Sequence, residues 1–161
     1  MSTKTKKFGF TLIELLLVVS IFSLLTVLVL PMMGDKDKLG IDIARQLLVS
    51  DIELAQIMAI SNPDDEIVLC IQNQGWHIAS SDAPDMPLVD ERTGQAFQLT
   101  LGTGPAAAAI DVEIATNALN DYIIFNENGG LLDLSQITEI MVAKNNQNAL
   151  LRINPYTGMI E

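Results

Sequence analysis

Twenty successive residues, LLLVVSIFSLLTVLVLPMMG at 15–34, carry no charged side chain. A helix of about 20 apolar residues is what a hydrocarbon core roughly 30 Å thick requires. Glu14 stands directly before this run, where a lone carboxylate is out of place. Pro31 lies near the end of the run, and its missing backbone donor either kinks the helix or ends it before another begins. Gly34, the charged DKDK and Gly40 then mark a loose exit to water. From 41 to 61 the pattern becomes amphipathic. Ala44, Leu47, Leu48, Leu54, Ala55 and Met58 recur at spacings of three, four and seven, while Asp42, Arg45, Gln46, Asp51, Glu53 and Gln56 mostly take other faces. This predicts a helix laid by its apolar stripe on a domain, stopped by Asn62 and Pro63 because the residue before proline avoids helical geometry.

Beyond Pro63 short apolar and alternating segments predict strands. EIVLCI (66–71) and WHIAS (76–80) flank QNQG, whose Asn73 and Gly75 suit a hairpin turn. The acidic, proline-rich SSDAPDMPLVDERTGQ (80–95) reads as an irregular loop and as a candidate partner contact. AFQLTL (96–101) alternates as a strand, GTGPAAAA breaks it, and IDVEI (110–114) alternates again. DYIIF (121–125) leads into NENGG, ITEIMVA (137–143) and ALLRI (149–153) enclose NNQN as a second hairpin, and NPYTGMIE is a turn and a last short strand. The expected class is α+β, a long N-terminal helix followed by an antiparallel β-rich body.

Length and charge narrow the role. The chain has 161 residues and a formal charge of -11, room for one modest domain once the N-terminal run is set aside. Beyond Gly34 six basic residues, Lys36, Lys38, Arg45, Arg92, Lys144 and Arg152, face a much larger acidic set. Such a body repels phosphate, so no nucleic-acid partner is expected. Lys4, Lys6 and Lys7 before the apolar run resemble the start of a secretory signal, but the run is too long, no small-x-small cleavage pattern follows Met33, and Glu14 is wrong for such a signal. Basic residues on the N-terminal side place the start in the cytoplasm and the body across the membrane in a periplasm-like space.

Candidate chemistry is sparse. Asp82, Asp85, Asp90 and Glu91 offer oxygen ligands to a hard cation, but their spacing is not that of an EF-hand, and proline-rich acidic loops are ordinarily just solvated. His77 has no companion and reads as a packed or surface residue. The single Cys70 sits in an apolar strand, where a buried thiol is inert, and cannot form an internal disulfide. No Gly-x-Ser-x-Gly is present, and GTGP lacks the lysine and hydroxyl of a phosphate loop. The expectation is no enzyme, no catalytic residue, no cofactor and no metal.

The stretch Lys6-Lys7-Phe8-Gly9-Phe10-Thr11-Leu12-Ile13-Glu14 resembles the type III signal of type IV pilins and of the pseudopilins of type II secretion. The resemblance implies cleavage by a prepilin peptidase between Gly9 and Phe10, and N-methylation of Phe10. It also implies a leader at 1–9, a transmembrane and filament-core helix at 10–33, its amphipathic continuation at 34–62, and a periplasmic β-rich globular domain at 63–161. Glu14 becomes the fifth residue of the mature chain, with an assembly role in which it meets the N-terminal amine of a neighbouring subunit. Pro31 becomes a kink or flexible point near the membrane surface. In the C-terminal half, IIFNENGGLLD and LRINPYTGMIE resemble the H-type minor pseudopilins (GspH/FimT-like) through Phe125, Gly129, Thr157 and Gly158, while the acidic calcium-binding ending of major pseudopilins is absent. The implied function is that of a minor pseudopilin near the tip of a periplasmic pseudopilus that helps drive protein export across the outer membrane. The alternative is a FimT/FimU-like minor pilin priming a type IV pilus. Implied partners are other major and minor pseudopilins, the prepilin peptidase, an inner-membrane assembly platform and the lipid bilayer of a bacterial inner membrane, crossed once.

Overall fold

The computed structural model describes residues 11–29 and 36–161. Gly9, Phe10 and Pro31 lie outside these residues, as do the expected leader at 1–9 and the expected cleavage site. The chain divides into two compact units, Met1–Asp35 and Lys36–Glu161.

The first unit holds α1, Leu12–Val29. Every side chain from 11 to 26 is exposed, Leu12 at 79% and Phe22 at 65% among them, so the helix has no apolar stripe that distinguishes one face. Two of its three hydroxyl residues, Ser20 and Thr26, fold back on the helix itself. Ser20 Oγ donates to the Leu16 carbonyl at 2.7 Å and Thr26 Oγ1 to the Phe22 carbonyl at 2.8 Å, which satisfies both hydroxyls within the helix. Among the described residues no helix is long and apolar enough to cross a membrane. At 1.5 Å per residue α1 as described rises about 27 Å, short of a hydrocarbon core of roughly 30 Å.

The second unit is a helix across two antiparallel sheets. Helix α2, Lys36–Ser61, buries Ile41, Ala44, Leu48, Ile52, Ala55 and Ala59, a stripe at spacings of three and four. Leu47, Leu54 and Met58, which the sequence pattern places in the stripe, flank it half-buried, and Ile52 and Ala59 take its centre. Gly40 is buried because the chain approaches closely there. A Cβ at this position would lie 2.9 Å from the Ala108 carbonyl oxygen. The GTGPAAAA segment is therefore more than a break. Gly104–Ala109 form a short 3-10 helix with Pro105 in its first turn, and Ala106 and Ala109 are buried, small enough to let α2 pack against backbone.

The first sheet has the order β3-β2-β1-β5, with β1 Ile67–Gln72, β2 Gly75–Ser80, β3 Gln98–Thr100 and β5 Tyr122–Phe125. The QNQG hairpin forms as expected, Gln72 opposite Gly75. EIVLCI is apolar without alternation because both faces of β1 are covered: Ile67, Leu69 and Ile71 enter the main core, while Val68 and Cys70 join Ala79 in a second cluster on the other side. The second sheet is β4 Glu113–Thr116, β6 Thr138–Lys144 and β7 Gln147–Ile153, in the order β4-β6-β7. The NNQN turn joins β6 to β7 with Lys144 opposite Gln147, and Asn145 takes φ +53°, a conformation asparagine tolerates. Ile140, Val142, Leu151 and Ile153 point inward, Met141 and Leu150 outward, the alternation of a sheet with one wet face.

Three strands differ from the sequence pattern. The 96–101 segment narrows to β3, and the 110–114 strand shifts to Glu113–Thr116 because Asp111 at φ +60° turns the chain just before it. The last strand is a single bridge between Ile153 and Ile160.

Candidate functional site

Glu14 lies in the first turn of α1. The Thr11 amide and hydroxyl face its Oε2, each at 3.4 Å, and the Glu14 amide faces Thr11 Oγ1 at 3.4 Å. The backbone closes the same turn, with the Glu14 amide 3.1 Å from the Thr11 carbonyl. This is a capping box, in which the cap residue and the third helical residue exchange side-chain contacts with each other's amides. Its side-chain bonds are long, so they orient the carboxylate without consuming it. The positive end of the helix dipole favours a negative charge there. The sequence pointed to Glu14 through its charge; Thr11 was missed, although T-x-x-E before an apolar run is itself a legible signal.

At the far end of the chain two glycine-containing turns pack back to back. Asn126 Oδ1 accepts from the Asn128 amide at 2.9 Å and the Gly130 amide at 3.1 Å, while Asn154 Oδ1 accepts from the Tyr156 amide at 3.0 Å. The Leu131 amide donates to the Pro155 carbonyl at 2.8 Å, joining the turns. Helix α2 reaches the pair through Gln56 Nε2, which donates to the Gly158 carbonyl at 2.7 Å. Gly158 has φ +67°, and a Cβ on it would fall onto the Gly129 carbonyl oxygen. Only glycine fits. Phe125, Gly129, Thr157 and Gly158, which carry the C-terminal resemblance, thus belong to one structural feature. Thr157 contributes by accepting the Met159 amide at 3.2 Å.

The acidic 80–95 segment is a fastened strap. His77 Nε2 and Cys70 Sγ both meet the Pro84 carbonyl, at 2.7 and 3.2 Å; a carbonyl only accepts, so the Nε2 position carries the proton. The Leu88 amide donates to the Ile78 carbonyl and the Phe97 amide to the Leu88 carbonyl, both at 2.8 Å. His77 is accordingly packed. Burial, with Asp85 nearby, pushes the Cys70 thiol up to about 11, away from reactivity at neutral pH. Asp90 is committed to its own turn: its carboxylate accepts from the Thr93 hydroxyl at 2.8 Å and the Arg92 amide at 2.9 Å, and these bonds hold its pKa below the ordinary 3.8. Asp82, Asp85, Asp90 and Glu91 do not converge; among the described residues no three His, Cys, Asp or Glu side chains gather about one point.

Alongside α2, between Arg45, Val49 and Glu53 on one side and Thr157–Ile160 on the other, runs a groove of about 540 Å³. No sequence signal marks it, since it forms only when the C-terminal segment lies beside the helix.

The prokaryotic N-terminal methylation motif matches residues 4–30. A solved structure of the Pseudomonas aeruginosa type IV minor pilin FimU is 15% identical, with 73% of this chain and 84% of that chain covered and a TM-score of 0.49. No curated protein matches. The model of the type II transport protein GspH matches residues 44–157, from the buried stripe of α2 to the last turn. The chain therefore belongs to the GspH family of type II transport proteins and is a pilin-like minor pseudopilin.

Proposed function

We propose that this pseudopilin is a structural subunit near the tip of the periplasmic pseudopilus, held in the inner membrane by the 10–33 segment until it is assembled, with its N-terminus cytoplasmic and its body periplasmic. A prepilin peptidase cuts between Gly9 and Phe10, Phe10 is N-methylated, and Glu14 pairs with the amine of a neighbouring subunit. Pro31 lets the helix bend where it leaves the membrane. The role is structural and not catalytic.

The observation that carries this reading is a carboxylate oriented at the amino end of a helix that is apolar on every face. A charge within lipid costs roughly 2.5–3.5 kcal/mol on insertion scales and calls for a partner. The apolar surface makes the same demand. On leaving the bilayer it must be covered by other helices, since each Å² left in water costs about 25 cal/mol. One helix thereby serves as anchor and as filament core.

The test is to express the full chain with its prepilin peptidase and sibling pseudopilins, read its N-terminus by mass spectrometry, and compare wild type with Glu14→Ala. The expected mature start is N-methylated Phe10 in both, with Glu14→Ala absent from the pseudopilus. A chain that keeps its leader, or a Glu14→Ala variant incorporated at the wild-type level, would refute the reading.

A further inference from the structure

The C-terminal segment covers the outer edge of β7 and leaves its own edge bare. The Arg152 amide donates to the Glu161 carbonyl at 3.0 Å, the Glu161 amide to the Arg152 carbonyl at 2.9 Å, and the Asn154 amide to the Met159 carbonyl at 2.9 Å. The Met159 carbonyl and both backbone groups of Glu161 thus turn toward the sheet, while the Met159 amide goes to Thr157 Oγ1. Ile160, between them and opposite Ile153 in the bridge, turns its N–H and C=O the other way, as alternate residues of an antiparallel ladder do. Among the described residues neither group has a partner.

That open edge borders the groove lined by Arg45, Val49, Glu53 and Ile160. Gly158, whose carbonyl accepts from Gln56 Nε2, lines the groove as well. The Arg45 and Glu53 side chains make no hydrogen bond or ion pair among the described residues. They stand eight residues apart on α2, about 12 Å along the axis. At roughly 3.4 Å per residue this is the length of about four extended residues.

We propose that this groove is a strand-addition slot that receives an extended segment of about four residues from a neighbouring pseudopilin. One residue of that segment exchanges both backbone hydrogen bonds with Ile160, an acidic side chain meets Arg45, and a basic one meets Glu53. Backbone chemistry selects the occupant. A helix has already spent its amides and carbonyls internally and could offer Ile160 nothing, whereas an added strand supplies both partners. An unpaired edge is also a liability that folds ordinarily cover, and here the charges beside it specify what covers it. The slot rests on the reading of this chain as an assembling subunit.

Amide hydrogen exchange on the full chain in detergent, alone and co-purified with its sibling pseudopilins, tests it. In the assembly the Ile160 amide should slow by about tenfold or more while the bonded Glu161 amide changes little. Ile160→Pro removes a donor that no internal bond uses, so the variant should keep the protection pattern of the body and lose about tenfold in recovery with the siblings. Ile160→Val should behave as wild type. If Ile160→Pro perturbs the body, Arg45→Glu, on an exposed helix position, supplies the same comparison. A chain that joins the pseudopilins with an equally fast Ile160 amide overturns the slot and leaves subunit membership intact; a chain that never joins them overturns both.

Discussion

The two helices are both rich in Leu, Ile and Val, yet they solve opposite problems. Helix α2 concentrates its burial in one stripe, Ile41 to Ala59, and meets the core of its own unit there. Helix α1 has exposed apolar side chains on all faces, and its Ser20 and Thr26 hydroxyls bond within the helix. A stripe is complete within one chain; uniform apolarity is complete only in lipid or among other helices. The distribution of apolar residues around a helix, more than their number, therefore separates the part that stabilises the fold from the part that is available for assembly.

Substitutions at matched chemistry should break this pair apart. Leu48→Ala empties a fully buried site in α2 and should lower the stability of the body by about 2–5 kcal/mol. Leu17→Ala, on α1, should leave that unfolding transition unchanged; a shared loss in thermal denaturation would show that α1 supports the body. Gly158→Ala tests the far anchor of α2. Its new Cβ would collide with the Gly129 carbonyl at a positive φ, and a loss of about 1–3 kcal/mol is expected.

Asp51 sharpens the contrast most finely, because it is a polar tie on the helix that otherwise packs by apolar contact. Trp76, 1% exposed, donates its Nε1 proton to Asp51 Oδ2 at 2.6 Å. Asp51→Ala strands that donor and should cost about 1–3 kcal/mol, whereas Asp51→Asn keeps an acceptor and should cost less than about 1 kcal/mol. Burial raises the Asp51 pKa above 3.8, opposed by the Trp76 bond. Between 3.8 and the raised value the folded protein holds a proton that the unfolded chain has released, so stability falls as pH rises through that window. Wild type should accordingly lose ground to Asp51→Asn as pH rises from 3.8 through the raised value. Denaturant titrations of the two proteins at several pH values check the sign.

Much of the architecture was legible in the sequence. QNQG and NNQN are local turn chemistry, and the apolar run and the amphipathic helix are visible as periodicities. What escaped was set by tertiary context. Leu54 and Met58 are as apolar as Ile52 and more so than Ala59, so hydrophobicity alone could not locate the centre of the stripe. The small residues of GTGPAAAA look like a break until Gly40 is seen to need neighbours without bulk. The 80–95 strap is fastened largely through backbone carbonyls, which have no sequence signature. At the candidate sites the carboxylate of Glu14 was conspicuous, while its capping partner Thr11 was overlooked and the bare edge at Ile160 exists only because the C-terminal segment pairs with β7.

The capping box gives the central claim its most direct test, because glutamine can replace glutamate in such a box while carrying no charge. Glu14→Gln should retain the helix cap and the processed, methylated N-terminus, and its incorporation into the pseudopilus, measured by quantitative mass spectrometry of pseudopilin assemblies isolated from the solubilised cell envelope, should fall to the level of Glu14→Ala. Incorporation of Glu14→Gln at the wild-type level would mean that the carboxylate only caps its own helix, and would contradict the account.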